Sequence, residues 1–144
     1  QQNQPILKVS RFELLKESYK RNTLYQSQLA KEANIPFFVF TQPNQYLPDT
    51  KRFMSEVEKK IAIHKNKREI NEDPYRYIDI LKIVEELKKK NVNIIDFTQV
   101  FYEEKGVVYR DDCCHYNSSG NKILAKSIAD RISSSIQAKI SCEW

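Results

Sequence analysis

Glycine is nearly missing from this chain. Gly106 and Gly120 are the only two in 144 residues, so nothing before Gly106 has the conformational freedom of that residue. Cysteine is scarce too: Cys113, Cys114 and Cys142 do not make a disulfide framework, and they leave the redox compartment open. Zinc sites want separated Cys or His pairs, whereas Cys113 and Cys114 are adjacent and direct their side chains differently, so no metal is expected. They are expected to pack under their loop or to oxidise incidentally instead. Long apolar runs are absent, Ile35-Pro36-Phe37-Phe38-Val39-Phe40 being typical, which excludes a membrane-spanning helix. The opening Gln1-Gln2-Asn3-Gln4-Pro5 does not read as a signal peptide. A start without Met is expected of a processed, trimmed or fragmentary chain. Internal repeats, low-complexity segments and interdomain linkers are not seen either.

What remains is a globular composition, 40% hydrophobic and 30% charged, in a length that suits one soluble domain with a real core. The net charge of +5 raises the question of an anionic partner. The basic residues are, however, interleaved with Glu along helical segments. Lys88-Lys89-Lys90 falls at a helix C-terminus, where cations complement the helix dipole. They read as solvated faces, and no nucleic-acid partner is expected.

Residues from about 6 to 33 read as one helix, with Phe12, Leu15, Tyr19, Tyr25 and Leu29 at helical spacing and Asn34 ending it. The apolar run 35–40 suits a strand buried on both faces, with Pro36 at its start. A weakly apolar helix follows from about 50 to 68, presenting Phe53, Val57, Ile61 and His64 on one face. Asp73 caps the next helix with Pro74 at its first position, and Tyr77, Ile80, Val84 and Leu87 stripe it up to Lys90. Asn91 ends that helix, and Val92-Asn93-Ile94-Ile95-Asp96-Phe97 is a second strand, expected parallel to the first by the right-handed crossover rule. In the last helix, capped by Asn117 or Ser118, Leu124, Ile128, Ile132, Ile136 and Ile140 repeat every four residues. This order is α/β. A doubly buried strand needs neighbours on both sides, so two strands are expected to be part of a larger sheet.

The chemistry is concentrated in Arg110-Asp111-Asp112-Cys113-Cys114-His115-Tyr116-Asn117. A tight turn brings Asp112 to His115, where a carboxylate accepting from Nδ1–H fixes the tautomer and leaves Nε2 as a general base. Asp111 is the competing acid, and only geometry decides between them. Thr41, Gln42 and Asn44 follow the first strand, at the end where open α/β sheets bind ligands, and are candidate pocket wall; ordinary turn chemistry is the plainer reading. His64 reads as a half-exposed structural histidine, and Asp96 as a strand-end cap or a support for the catalytic loop.

Asp112-Cys113-Cys114-His115-Tyr116-Asn117, followed by Gly120-Asn121-Lys122-Ile123-Leu124-Ala125, resembles the last block of the SGNH (GDSL-like) hydrolases. Residues 35–44, ending in Thr41-Gln42-Pro43, resemble that family's penultimate core strand, and 92–96 its final one. The resemblance covers roughly residues 10 to 135, in the same order. It implies a flavodoxin-like three-layer α/β/α fold and a serine esterase in which His115 is the base and Asp112 its orienter. The family's Gly-Asp-Ser and Gly-x-Asn-Asp blocks, which supply the nucleophile and oxyanion donors, do not occur here. Ser10, Ser18, Ser27 and Ser55 all fall in helical patterns.

Residues 1–144 are therefore expected to be the C-terminal portion of a single SGNH-like domain. They would supply the Asp-His pair, while the serine lies outside the chain. The expected substrate is a small ester, an acetyl or short acyl group on a carbohydrate or lipid, and no cofactor is required. The expected partner is the N-terminal half of the domain, in the same precursor or in a separate chain. The alternative is a non-catalytic binding module of the same fold, and a different class is a basic RNA- or partner-binding protein. The compartment stays open, with a lean toward an extracytoplasmic or cell-envelope one.

Overall fold

The computed structural model describes residues 11–63, 73–113 and 115–142. His64 and Cys114 lie outside them. Among the described residues the chain is mixed α/β, with four helices and one two-stranded parallel sheet.

Helix α1 spans Arg11–Glu32. It stops because Asn34 turns left-handed at φ 55°, a conformation that asparagine tolerates better than most residues. Ile35 N–H then donates to Ala30 C=O at 2.8 Å and Asn34 N–H to Lys31 C=O at 3.1 Å, the paired bonds of a Schellman ending. The chain runs on into strand β1, Val39–Thr41. The same device is repeated one unit later. Helix α3, Asp73–Lys89, closes on Asn91 at φ 61°, with Val92 N–H on Leu87 C=O (3.1 Å) and Asn91 N–H on Lys88 C=O (2.9 Å). Strand β2, Ile94–Asp96, follows it. Both strands are thus launched from identical helix endings, and they pair parallel, Val39 with Ile94, Phe40 with Ile95 and Thr41 with Asp96.

One core lies where α1 and α3 pack together against the sheet. It contains Ile83, Val84, Leu87, Val92 and Ile94, with Tyr19, Phe37 and Val39 packed on it. Burying a side chain such as Leu87 contributes about 1.5–3 kcal/mol. The α3 stripe is as its spacing predicts. The α1 stripe is only partly so, since Leu15, Tyr25 and Leu29 are exposed.

Helix α2 is shorter than predicted and turned round. It spans Glu56–Ala62, with the Ser55 hydroxyl accepting from Glu58 N–H at 3.2 Å as its cap. The predicted apolar face looks outward, Val57 being 64% exposed and Ile61 39%, whereas Glu58 and Ala62 are 0% exposed. The reason is an ion pair, described below, that a hydrophobic-periodicity argument cannot see. A second core gathers Ala62, Phe101, Val108 and Tyr109, with Met54, Val100, Tyr116 and Ile123 around it. Phe101 meets Tyr116 edge-on at 5.2 Å between ring centroids.

Helix α4 spans Ser118–Cys142. Asn117 caps it, its Oδ1 accepting from Gly120 N–H at 3.0 Å. Leu124, Ile128 and Ile132 are half-buried, as the four-residue repeat predicts, but Ile136 is exposed. The helix lies across a cleft from the segment after β2, with Ser127 and Arg131 facing Phe97 and Val100. No described helix is long and apolar enough to cross a membrane.

Candidate active site

The segment carrying the Asp and His residues is a small hairpin, which its sequence does not announce. Tyr109 and Tyr116 form an antiparallel bridge. Arg110 N–H donates to His115 C=O at 2.9 Å, and Asn117 N–H to Val108 C=O at 2.8 Å. The tip therefore begins at Asp111, directly beside His115. Asp111 Oδ1 accepts Cys113 N–H at 2.9 Å, while Oδ2 lies 2.8 Å from His115 Nδ1.

This corrects the expected pairing. The carboxylate on the imidazole is Asp111's, four residues before the histidine, and not that of Asp112 three residues before it. Arg110 is already committed to the stem of the hairpin, so the residue after it is the one placed next to the ring. Asp112 is held through its backbone, its C=O accepting from Tyr46 Oη at 2.7 Å.

The hydrogen bond with His115 holds the Asp111 carboxyl below its usual range. Slight burial opposes this, and the N–H groups of Cys113 and His115 reinforce it. Asp111 is thus an ionised acceptor at neutral pH, which places a proton on Nδ1, so that the neutral form of the ring carries its lone pair on Nε2. His115 is exposed, and it opens onto a cleft of about 630 Å³ with Gln42, Arg110, Asn121 and Leu124 among its lining. Chemically, the pair can take a proton from a hydroxyl presented at Nε2.

Of the three residues expected as pocket wall, only Gln42 lines this cleft. Its backbone C=O is anchored by the Tyr77 hydroxyl. Thr41 is buried, and its hydroxyl donates to Asp96 Oδ1 at 2.8 Å and accepts from Phe97 N–H at 3.0 Å. Asn44 is also buried, with Oδ1 accepting Tyr46 N–H at 2.9 Å. Thr41 ties the two strand ends together and Asn44 makes a turn; neither lines this cleft. Asp96 fills the capping role, accepting also from Thr98 N–H at 2.8 Å.

The loop after β1 grips the hairpin at three points. Tyr116 Oη donates to Pro43 C=O at 2.5 Å, Gln45 Nε2 to Asp111 C=O at 3.3 Å, and Tyr46 Oη to Asp112 C=O as above. Because Gln42 to Tyr46 leave the carboxyl end of a parallel strand, Asp111 and His115 sit at the edge where ligands of open α/β sheets bind.

From beneath, the hairpin stem is held by α2. Glu58 Oε1 accepts from Val108 N–H at 2.8 Å and from Tyr109 N–H at 3.2 Å. Its Oε2 pairs with Lys51 Nζ at 2.7 Å, both side chains being fully enclosed. Lys51 also donates to Phe53 C=O (3.1 Å) and Gly106 C=O (2.6 Å), so every proton of the ammonium is placed. Gln45, Tyr46, Lys51 and Glu58 were not among the residues singled out from the sequence. Only Glu58 carried a signal: it lies one helical turn before Ala62, on the face that the small residue marks as close-packed.

No described serine hydroxyl is hydrogen-bonded to His115. Ser55 caps α2, while Ser134 and Ser135 bond back to helix carbonyls. Among the described residues no cluster of His, Cys, Asp and Glu could hold a metal ion. No protein-family model, curated protein or solved structure matches the chain.

Proposed function

We propose that this chain supplies the acid-base half of an SGNH-type serine ester hydrolase, and that the nucleophilic serine and the oxyanion donors come from residues outside it. The observation that carries this reading is the Asp111–His115 pair, with Nδ1 bound at 2.8 Å and His115 lining a cleft at the carboxyl end of two parallel strands. The flavodoxin-like three-layer fold belongs to the same proposal. Support for it comes from the β-α-β unit, with α1 and α3 on one face of the sheet and α4 beyond β2.

In the reaction, a serine hydroxyl gives its proton to His115 Nε2 as its oxygen bonds to the ester carbonyl carbon. Asp111 stabilises the imidazolium that forms. The proton then passes to the departing alkoxide, and a water repeats the sequence to release the acid. No cofactor is needed. The substrate is an acetyl or short acyl ester of a carbohydrate or lipid. The partner is the N-terminal half of the domain, in the same precursor or a separate chain. By itself, the chain hydrolyses no ester.

A second reading, a non-catalytic binding module, is favoured by one observation: no described serine hydroxyl reaches His115. Fluorophosphonate labelling of the native preparation, with intact mass on every polypeptide, separates the two. A label on a separate polypeptide or on a longer form of this chain supports the split arrangement. A label on a serine within residues 1–144 overturns the assignment of the nucleophile, and no label on a folded sample supports the binding module.

A further inference from the structure

Asp111 and Asp112 are adjacent acids of one tip, and either is close enough in sequence to reach the ring of His115. What decides between them is not the ion pair itself. The His115 side chain is 68% exposed and that of Asp111 38%, and pairs so open to water are weak. The hairpin stem fixes the histidine end through Arg110 and Tyr116. The acid end is fixed elsewhere. The carbonyls of Asp111 and Asp112, two consecutive acceptors, are taken by Gln45 Nε2 and Tyr46 Oη, two consecutive side chains of the facing loop.

We propose that Gln45 and Tyr46 are positioning residues that select Asp111 over Asp112 as the partner of His115. Pinning two successive peptide planes fixes both Cα–Cβ directions. A shift that brings Asp112 to the ring must break at least one of these bonds. Gln45 carries a second, independent sign of this role. It is buried, its amide also donates to Ala62 C=O at 3.1 Å, and its Oε1 is enclosed without a hydrogen-bond partner. An enclosed, unpaired acceptor costs stability, and a residue serving packing alone gains nothing from it. What Gln45 supplies is two donors, one on α2 and one on the Asp111 carbonyl.

The inference rests on reading Asp111–His115 as an acid-base pair, but its test needs no nucleophile. The ring ¹⁵N shifts of His115 in the full chain, assigned with H115A, report which nitrogen of the neutral imidazole carries the proton. In the wild type the Nδ1–H tautomer predominates; D111A reverses this and D112A does not. In Y46F and in Q45M the Nδ1–H fraction falls below half, and in Y46F what remains becomes sensitive to D112A. Amide shifts of Leu87 and Ile94 show that the core is intact. The proposal is overturned if D112A acts like D111A in the wild type, or if folded Y46F and Q45M keep the wild-type tautomer. Loss of the core in both variants would make the two residues merely structural and overturn it equally. Fluorophosphonate labelling is a separate readout. Label without tautomer control leaves the hydrolase reading standing and this one refuted, and the converse result does the reverse.

Discussion

Lys51 and Glu58 are locked together at 2.7 Å with both side chains fully enclosed, directly under the hairpin that bears His115. Removing one charge from such a pair strands the other without water, at a cost of about 3–5 kcal/mol, whereas replacing both by apolar residues of similar volume is often close to neutral. Lys51→Met and Glu58→Met are therefore expected each to lower the unfolding free energy by about that amount, and the double variant by much less. Urea unfolding of the three variants measures it. Additive losses would mean that the pair is not coupled.

Gly120 is required by a close approach. A Cβ there would meet Val108 carbonyl oxygen at 2.7 Å, Tyr116 Cβ at 3.0 Å and Val108 Cβ at 3.2 Å. The first contact is with backbone, which cannot swing aside. Gly120→Ala is expected to destabilise by about 1–3 kcal/mol and to push the first turn of α4 off the hairpin stem. Ser119→Ala, at an exposed neighbour, is expected to be near neutral. Thermal unfolding of both variants, side by side, decides.

The helices and strands were legible wherever one face alternates with the other and an asparagine stops the run. Asn34 and Asn91 announced two identical endings, and the α3 stripe and the parallel pairing followed. The faces of α1 and α2 were less legible, because periodicity counts apolar residues and not their neighbours. On α2 the buried side belongs to Glu58, whose enclosure depends on Lys51 and on two N–H groups fifty residues away in the chain. The pair at the site was half legible. His115 and an acid just before it were visible, but the choice of Asp111 depends on a hairpin that no glycine or Asn-Gly between Arg110 and His115 announces. Thr41 and Asn44 sit where pocket residues sit, yet their short side chains are spent on local hydrogen bonds.

Thr41 and Asp96 close the carboxyl ends of the strands, and this clasp is pH-sensitive. Burial pushes the Asp96 carboxyl up, but hydrogen bonds from Thr98 and from the Thr41 hydroxyl outweigh it, so the pKa lies below the ordinary 3.8. A folded-state pKa below the unfolded one means that the stabilisation is complete above about 3.8 and lost as pH falls through the lowered value. The difference in urea midpoint between wild type and Asp96→Asn is expected to be flat above that pH and to shrink below it. Thr41→Val leaves Phe97 N–H without its acceptor and is expected to cost about 1–3 kcal/mol at neutral pH. A midpoint difference that grows on acidification would contradict the assignment.

The last prediction concerns the chemistry. If His115 Nε2 is the base, its loss removes proton transfer from the attack on the ester, a contribution of about 10²–10⁴ in rate. In the native preparation, His115→Ala is expected to slow fluorophosphonate labelling of the serine by at least about 100-fold. Asp111→Ala, which frees the ring to take the other tautomer, is expected to slow it by more than Asp112→Ala does. The order of the two acid variants is the sharper measurement, since either substitution alone perturbs the same turn. Equal effects of the two would mean that the carboxylates act only through the local field, and a larger effect of Asp112→Ala would return the orienting role to the acid three residues before the histidine.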